Sequence, residues 1–182
     1  MTDKFKNLTL RQKAGYIWDY YKIPILAVAA GVFVAAYSVN VMFIHPPIGD
    51  YVNIAFIAPS PNQQAADAFL RQLDGRLSYD RTKYMLDCLV RPENTGQLTQ
   101  MDIAVMEKFS VMIAANEIDI IIASPAEMQT YADEGAVDSV TPLSGCTIAP
   151  LWELMGRDAV AAVVSNSARK ANAGAALAAM LR

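Results

Sequence analysis

The chain has 182 residues, 54% apolar and 18% charged, with a net charge of −3, which excludes a disordered chain and leaves room for one anchor and one domain. Residues 1–22 hold Lys4, Lys6, Arg11, Lys13 and Lys22 against Asp3 and Asp19; that balance of +3 leaves −6 for the remainder. An acidic remainder excludes nucleic acid as a partner, because phosphate binding needs clustered Lys and Arg.

Residues 1–22 read as a basic, amphipathic segment. Thr9-Leu10-Arg11-Gln12 fits a capping box, a hydroxyl followed three positions later by Gln. Leu10, Ala14, Ile17 and Tyr21 recur at helical spacing. This predicts a short helix in the inner membrane interface, turned into the bilayer at Pro24.

Residues 23–44 contain no Asp, Glu, Lys, Arg or His. As helix they reach ~33 Å, against a hydrocarbon core of ~30 Å. Tyr16, Trp18, Tyr20 and Tyr21 crowd the basic end, where amphipathic rings favour the headgroup level. Lys and Arg are retained in the cytoplasm, so the expected orientation is N-terminus inside and the C-terminal domain outside the cell. A cleaved signal peptide fits less well: its apolar core runs roughly 7–15 residues and ends at small residues, whereas Phe43, Ile44, His45, Pro46 and Pro47 stand here. Ala27, Gly31 and Ala35 form a small-xxx-small row suited to packing against a second helix.

His45-Pro46-Pro47-Ile48-Gly49-Asp50 breaks the helix, giving a linker over 45–50 and a domain over 51–182. His45 is the sole imidazole and is assigned no chemistry. Strand and helix patterns then alternate. Strands are predicted over 51–58, 83–90, 118–123 and 159–164, the third with an apolar run over 120–123 typical of a parallel strand covered on both faces. Helices are predicted over 62–73, with Ala65, Ala66, Phe69, Leu70 and Leu73 on one face, and over 97–115, with Ile103, Met106, Phe109 and Ile113 near one side. Two more follow over 125–134, stopped by Gly135, and 168–181. The alternation implies right-handed crossovers and a three-layer α/β fold with a mostly parallel sheet.

Ser60-Pro61-Asn62-Gln63 after the first strand repeats as Ser124-Pro125-Ala126-Glu127 after the third. Each reads as a Ser N-cap, Pro at the first helical position and Gln or Glu three after the Ser. Both serines would lie at carboxyl ends of strands, where open α/β sheets bind ligands. Hydroxyls and free helix N–H groups there suit an anion or polar small molecule, and Arg91 would add a charge at the same edge. Plain helix capping and a solvated arginine explain the same residues.

Cys88 and Cys146 form neither a Cys-x-x-Cys nor a His/Cys cluster, so no metal or cofactor is expected. In an exported domain they either pair as a disulfide or stand as two buried thiols. The carboxylates Asp87, Glu117, Asp119, Glu127, Asp133 and Glu134 define no acid–base pair in linear order. An enzyme is therefore not expected.

Two stretches carry a resemblance. Tyr16-Ile17-Trp18-Asp19-Tyr20-Tyr21-Lys22 before the apolar run resembles the start of small, uncharacterised membrane-anchored proteins of Firmicutes. Residues 114–122, then Tyr131-Ala132-Asp133-Glu134-Gly135-Ala136-Val137 and Thr141-Pro142-Leu143, resemble the extracellular solute-binding proteins of ABC transporters. In these a helix leads through "a-G-e-x-D-v" into a strand, with Asn116 here in place of the Gly. Val164-Ser165-Asn166-Ser167 and the helix after it resemble their returning strand and helix. The resemblance implies a type II periplasmic-binding-like fold. The exported part is large enough for only one of that family's two lobes, so capture by domain closure is not implied. The functional expectation is a membrane-tethered extracytoplasmic binding or interaction module, working with a transporter or envelope assembly. The alternative is an accessory subunit that dimerises through the span and binds no small molecule. The bilayer, a membrane-protein partner and a second copy are the partners under consideration.

Overall fold

The structure is a computed structural model that describes residues 10–44, 48–93 and 99–182. The expected capping box at Thr9, the linker residues His45-Pro46-Pro47 and the expected Gln97 helix start lie outside the described residues, as do the side chains of Leu10, Ala14, Tyr16, Ile17 and Tyr20. The chain divides into two units, Met1–Pro47 and Ile48–Arg182.

The first unit is one helix, α1 (Leu10–Val39), closed by a π-helical turn at Asn40–Ile44. Tyr21–Met42 is long and apolar enough to cross a membrane, and none of it is buried within the chain. The expected turn at Pro24 does not occur; Pro24 lies inside continuous helix. Proline costs one backbone hydrogen bond and is tolerated in apolar helices where the neighbouring turns adjust. Ser38 donates its hydroxyl to the Val34 carbonyl at 2.8 Å, which hides its polarity along the helix.

The second unit is a five-stranded sheet with helices on both faces. In chain order its elements are β1 (Gly49–Ala58), α2 (Gln63–Arg76), β2 (Tyr84–Pro92), α3 (Gln100–Ala114), β3 (Ile120–Ala123), α4 (Pro125–Asp133), β4 (Val137–Pro142), α5 (Pro150–Met155), β5 (Val160–Val164) and α6 (Lys170–Met180). The strand order is β2-β1-β3-β5-β4. β1 pairs parallel with β2 and β3, while β5 runs antiparallel between β3 and β4. Four strands therefore share one direction and β5 opposes them. The sheet is mostly parallel, but its last crossover is not the expected right-handed parallel one: β5 enters in reverse.

Alternation along the central strands explains the layers. Val52, Ile54, Phe56 and Ala58 of β1, with Ile120 and Ile122 of β3, pack against the layer containing α2, α5 and α6. Ala55 and Ile57, with Ile121 and Ala123, face the layer containing α3 and α4. A strand buried on both sides is apolar at nearly every position; Asn53 of β1 is the exception, buried with its N–H bonded to the Asp119 carboxylate. Phe56 meets Phe69 of α2 edge-to-face at 5.3 Å, a preferred aromatic geometry. In α6, Ala173, Ala176 and Ala179 turn inward, and Asn172 donates to the Tyr51 carbonyl of β1 at 3.1 Å.

Two elements lie where no strand or helix is expected. β4 is an edge strand with a register shift and mostly exposed side chains, and α5 is six residues long. The start of α2 also differs: the cap is Asn62, whose side chain accepts from the Ala65 N–H at 3.2 Å, and Ser60 lies exposed before it. At α4 the expected cap is present, with Ser124 accepting from the Glu127 N–H at 3.5 Å. The difference follows from the third residue of each motif: Asn62 caps well, whereas Ala126 has no acceptor.

Candidate functional site

A charged residue inside an apolar strand needs a partner, and β2 supplies one such case. Asp87, Leu89 and Arg91 share the strand face opposite Cys88 and Val90, so Arg91 projects toward the layer of α3 and α4. It pairs with Ile57 in the sheet register and is only 5% exposed.

Phe109, the one buried residue of α3, lies beneath the guanidinium, 4.8 Å from ring centroid to Cζ. The Arg91 Nη2 donates to the Tyr131 hydroxyl at 2.7 Å and stands 3.6 Å from the Glu127 carboxylate. Nη1 donates to the Pro92 carbonyl at 3.4 Å, and the buried Nε has no partner among the described residues. Burial raises the Tyr131 phenol above its ordinary pKa even though the Arg91 charge and hydrogen bond pull it down. It therefore keeps its proton at neutral pH. The Tyr131 ring meets Phe109 at 6.2 Å, edge-on.

This cluster floors an open groove of about 670 Å³ between α3 and α4, within the size range of small-molecule sites. Met106, Phe109 and Ile113 form an apolar wall, and Ser110, Thr130 and Tyr131 place hydroxyls around it. The structure thus brings Arg91 and α4 together near the carboxyl ends of the strands. It does not bring Ser60 and Ser124 into one groove with Arg91: neither lines it. Sequence reasoning assigns Tyr131, Glu127 and Phe109 to no site. The usable signal is an arginine at a position whose strand parity demands a core residue.

A second polar cluster lies at the opposite end of β3. Asp119 is fully buried, and its carboxylate accepts from the Asn53 N–H at 2.9 Å, the Ser167 hydroxyl at 2.6 Å and the Arg169 Nε at 2.8 Å. Arg169 also donates to the Glu117 carbonyl at 2.9 Å. Asp119 so joins β1, β3 and the loop between β5 and α6. All its contacts are internal, which makes it a structural lock.

Around the start of β2, Asp74 accepts from the Tyr79 hydroxyl and from Arg81 Nε, the latter at 2.9 Å. The Tyr79 hydrogen bond, with help from Arg81, holds Asp74 below the usual carboxylate range, and burial first and Asp74 second push Tyr79 up to about 12. Tyr79 stacks on Tyr51 at 4.3 Å.

Cys88 and Cys146 are free thiols. Cys88 accepts from Gln63 Nε2 at 3.7 Å, and burial pushes its pKa up to about 11. Cys146 is buried in the loop after β4, its N–H bonded to the Leu143 carbonyl. No disulfide joins them. Ala27, Gly31 and Ala35 lie on one exposed side of α1, and a Cβ built at Gly31 meets nothing within 4 Å. Among the described residues no group of three or more His, Cys, Asp or Glu side chains is placed to hold a metal ion.

No protein-family model, curated protein or solved structure matches this chain.

Proposed function

We propose that this chain is a single-pass membrane-anchored module whose α/β unit lies outside the cell and works as a binding or interaction domain. The observation that carries the reading is Tyr21–Met42, a helix of 22 residues with none buried. So much apolar surface is stable among lipid tails and costly in water. The basic residues before it set the N-terminus inside.

The likeness to one lobe of a solute-binding protein is supported by local details. Asn116, standing where the resembled pattern has Gly, takes φ 59, a left-handed conformation that Gly adopts freely and Asn tolerates. After β4 the chain leaves the sheet, passes through α5 and returns as the antiparallel β5. That excursion is where a second lobe would branch. With one lobe, binding would use a surface groove rather than domain closure.

A second reading, an accessory subunit that dimerises through its span, is favoured by the exposed Ala27, Gly31 and Ala35 row. Crosslinking of the full chain separates the two: a dimer abolished by Gly31→Leu supports it.

The anchoring reading is tested by carbonate washing of membranes and by a reporter fused after Arg182. Retention in the membrane with a reporter active outside supports it. Release into the aqueous fraction, or activity confined to the cytosol, refutes it.

A further inference from the structure

Arg91 is a buried charge with too few partners. A guanidinium carries five N–H donors, and a buried one is stable when paired and hydrogen-bonded. Here the hydroxyl of Tyr131 and the carbonyl of Pro92 accept, the latter at 3.4 Å, and Nε has no partner among the described residues. The nearest carboxylate, on Glu127, stands at 3.6 Å, beyond the range of a charge-assisted hydrogen bond. Glu127 is a quarter exposed, against 6% for the Arg91 side chain, so the anion is the more movable member.

Tyr131 adds a directed donor. Its oxygen accepts from Arg91, and the phenol stays protonated because burial raises its pKa. The hydroxyl hydrogen is therefore available to an acceptor in the groove. Next to this polar end lies the apolar wall of Met106, Phe109 and Ile113 on α3. Met106 and Ile113 are seven residues apart, about 10 Å along a helix.

We propose that the groove between α3 and α4 binds a small amphipathic carboxylate, its acid group on the Tyr131 hydroxyl and the Arg91 guanidinium and its apolar body along α3. The proposal rests on reading the folded unit as a binding module and supplies the ligand chemistry. It is independent of which side of the membrane the unit occupies. The ligand carboxylate takes over the approach that Glu127 makes at long range, and Glu127 swings toward solvent. Glu127 and the nearby Glu134 oppose a second negative charge, so a monoanion fits and a dianion does not.

The test uses the full chain in neutral-detergent micelles, titrated calorimetrically against micelle-only blanks. The probes share one apolar body and differ in head: phenylacetate, 2-phenylethanol and 2-phenylethylammonium. Phenylacetate is expected to bind saturably, at least about tenfold tighter than the alcohol, the ratio that a charge-assisted hydrogen bond confers. Tyr131→Phe should weaken it about tenfold on the same scale, whereas Glu127→Gln, which removes the competing anion, should tighten it. Glu127→Gln alters a partly exposed side chain and keeps the test valid if Tyr131→Phe fails to fold. Preference for the ammonium probe would make Glu127 the anchor and overturn the proposal. So would equal affinity for all three probes, or phenylacetate binding indifferent to both substitutions. Absence of binding by any probe overturns the site while leaving the carbonate and reporter results, and hence the anchoring, unaffected.

Discussion

Replacing Asp119 with Asn tests how the amino-terminal end of β3 is held. The carboxylate is fully buried and accepts three hydrogen bonds, two on Oδ2 and one on Oδ1. An amide has one oxygen, one NH2 group and no charge. Turned with its oxygen toward Ser167 it sets its NH2 against the Asn53 and Arg169 donors; turned the other way it donates to the Ser167 hydroxyl, whose own hydrogen loses its acceptor. In either orientation Arg169 loses its anion. Breaking one member of a buried pair costs about 3–5 kcal/mol, and in a unit of this size that lowers Tm by roughly 10–20 °C. Arg169→Met should cost a similar amount at neutral pH, because it leaves the buried carboxylate without its cation. The assay is thermal unfolding of the full chain in neutral detergent, followed by near-ultraviolet circular dichroism. A loss under about 1 kcal/mol for Asp119→Asn, the range of an ordinary neutral hydrogen bond, would refute the lock.

Three further outcomes are expected. Asn62→Ala should cost α2 about 1 kcal/mol of capping energy, while Ser60→Ala should be neutral; the reverse order in the same melts would restore Ser60 as the cap. Phe56→Ala removes a fully buried ring in contact with Phe69 and should cost about 3–5 kcal/mol; a near-silent substitution in denaturant titrations would contradict the packing. Cys88 binds its proton more tightly in the fold, with a pKa pushed up to about 11, than in the unfolded chain, where a thiol titrates near ~8.5. Its contribution is full below the unfolded value and is lost as pH rises through that window. Cys88→Ala should therefore flatten the alkaline loss of Tm, and equal slopes in parent and variant would speak against it.

Much of the sheet was legible because its central strands are buried on two faces. The runs over 54–58 and 120–123 admit no polar interruption, and such runs stand out in any reading. β4 did not, because an edge strand with one covered side and a register shift keeps residues such as Asp138, Ser139 and Thr141. Nor did α5, whose six residues are too few for a period to show. The reversal of β5 was hidden for a different reason: strand direction depends on the connection, and the Leu143–Asp158 excursion carries no direction signal. At the site, Arg91 could be singled out by its place at the strand edge, yet its partners lie 18 to 40 positions away in sequence. Only the packing of α3 and α4 across the sheet brings Phe109, Glu127 and Tyr131 to it. Ser60 shows the opposite failure, since a motif shared with Ser124 is overridden by one better capping residue.

The central claim, that the apolar helix crosses the membrane with the α/β unit outside, is met most directly by labelling Ser60→Cys in intact cells. Ser60 is exposed, whereas Cys146 is buried and Cys88 is held protonated, so a membrane-impermeant maleimide reports on the new thiol. Labelling before lysis is the expected result. Labelling that appears only once the membrane is broken would contradict it.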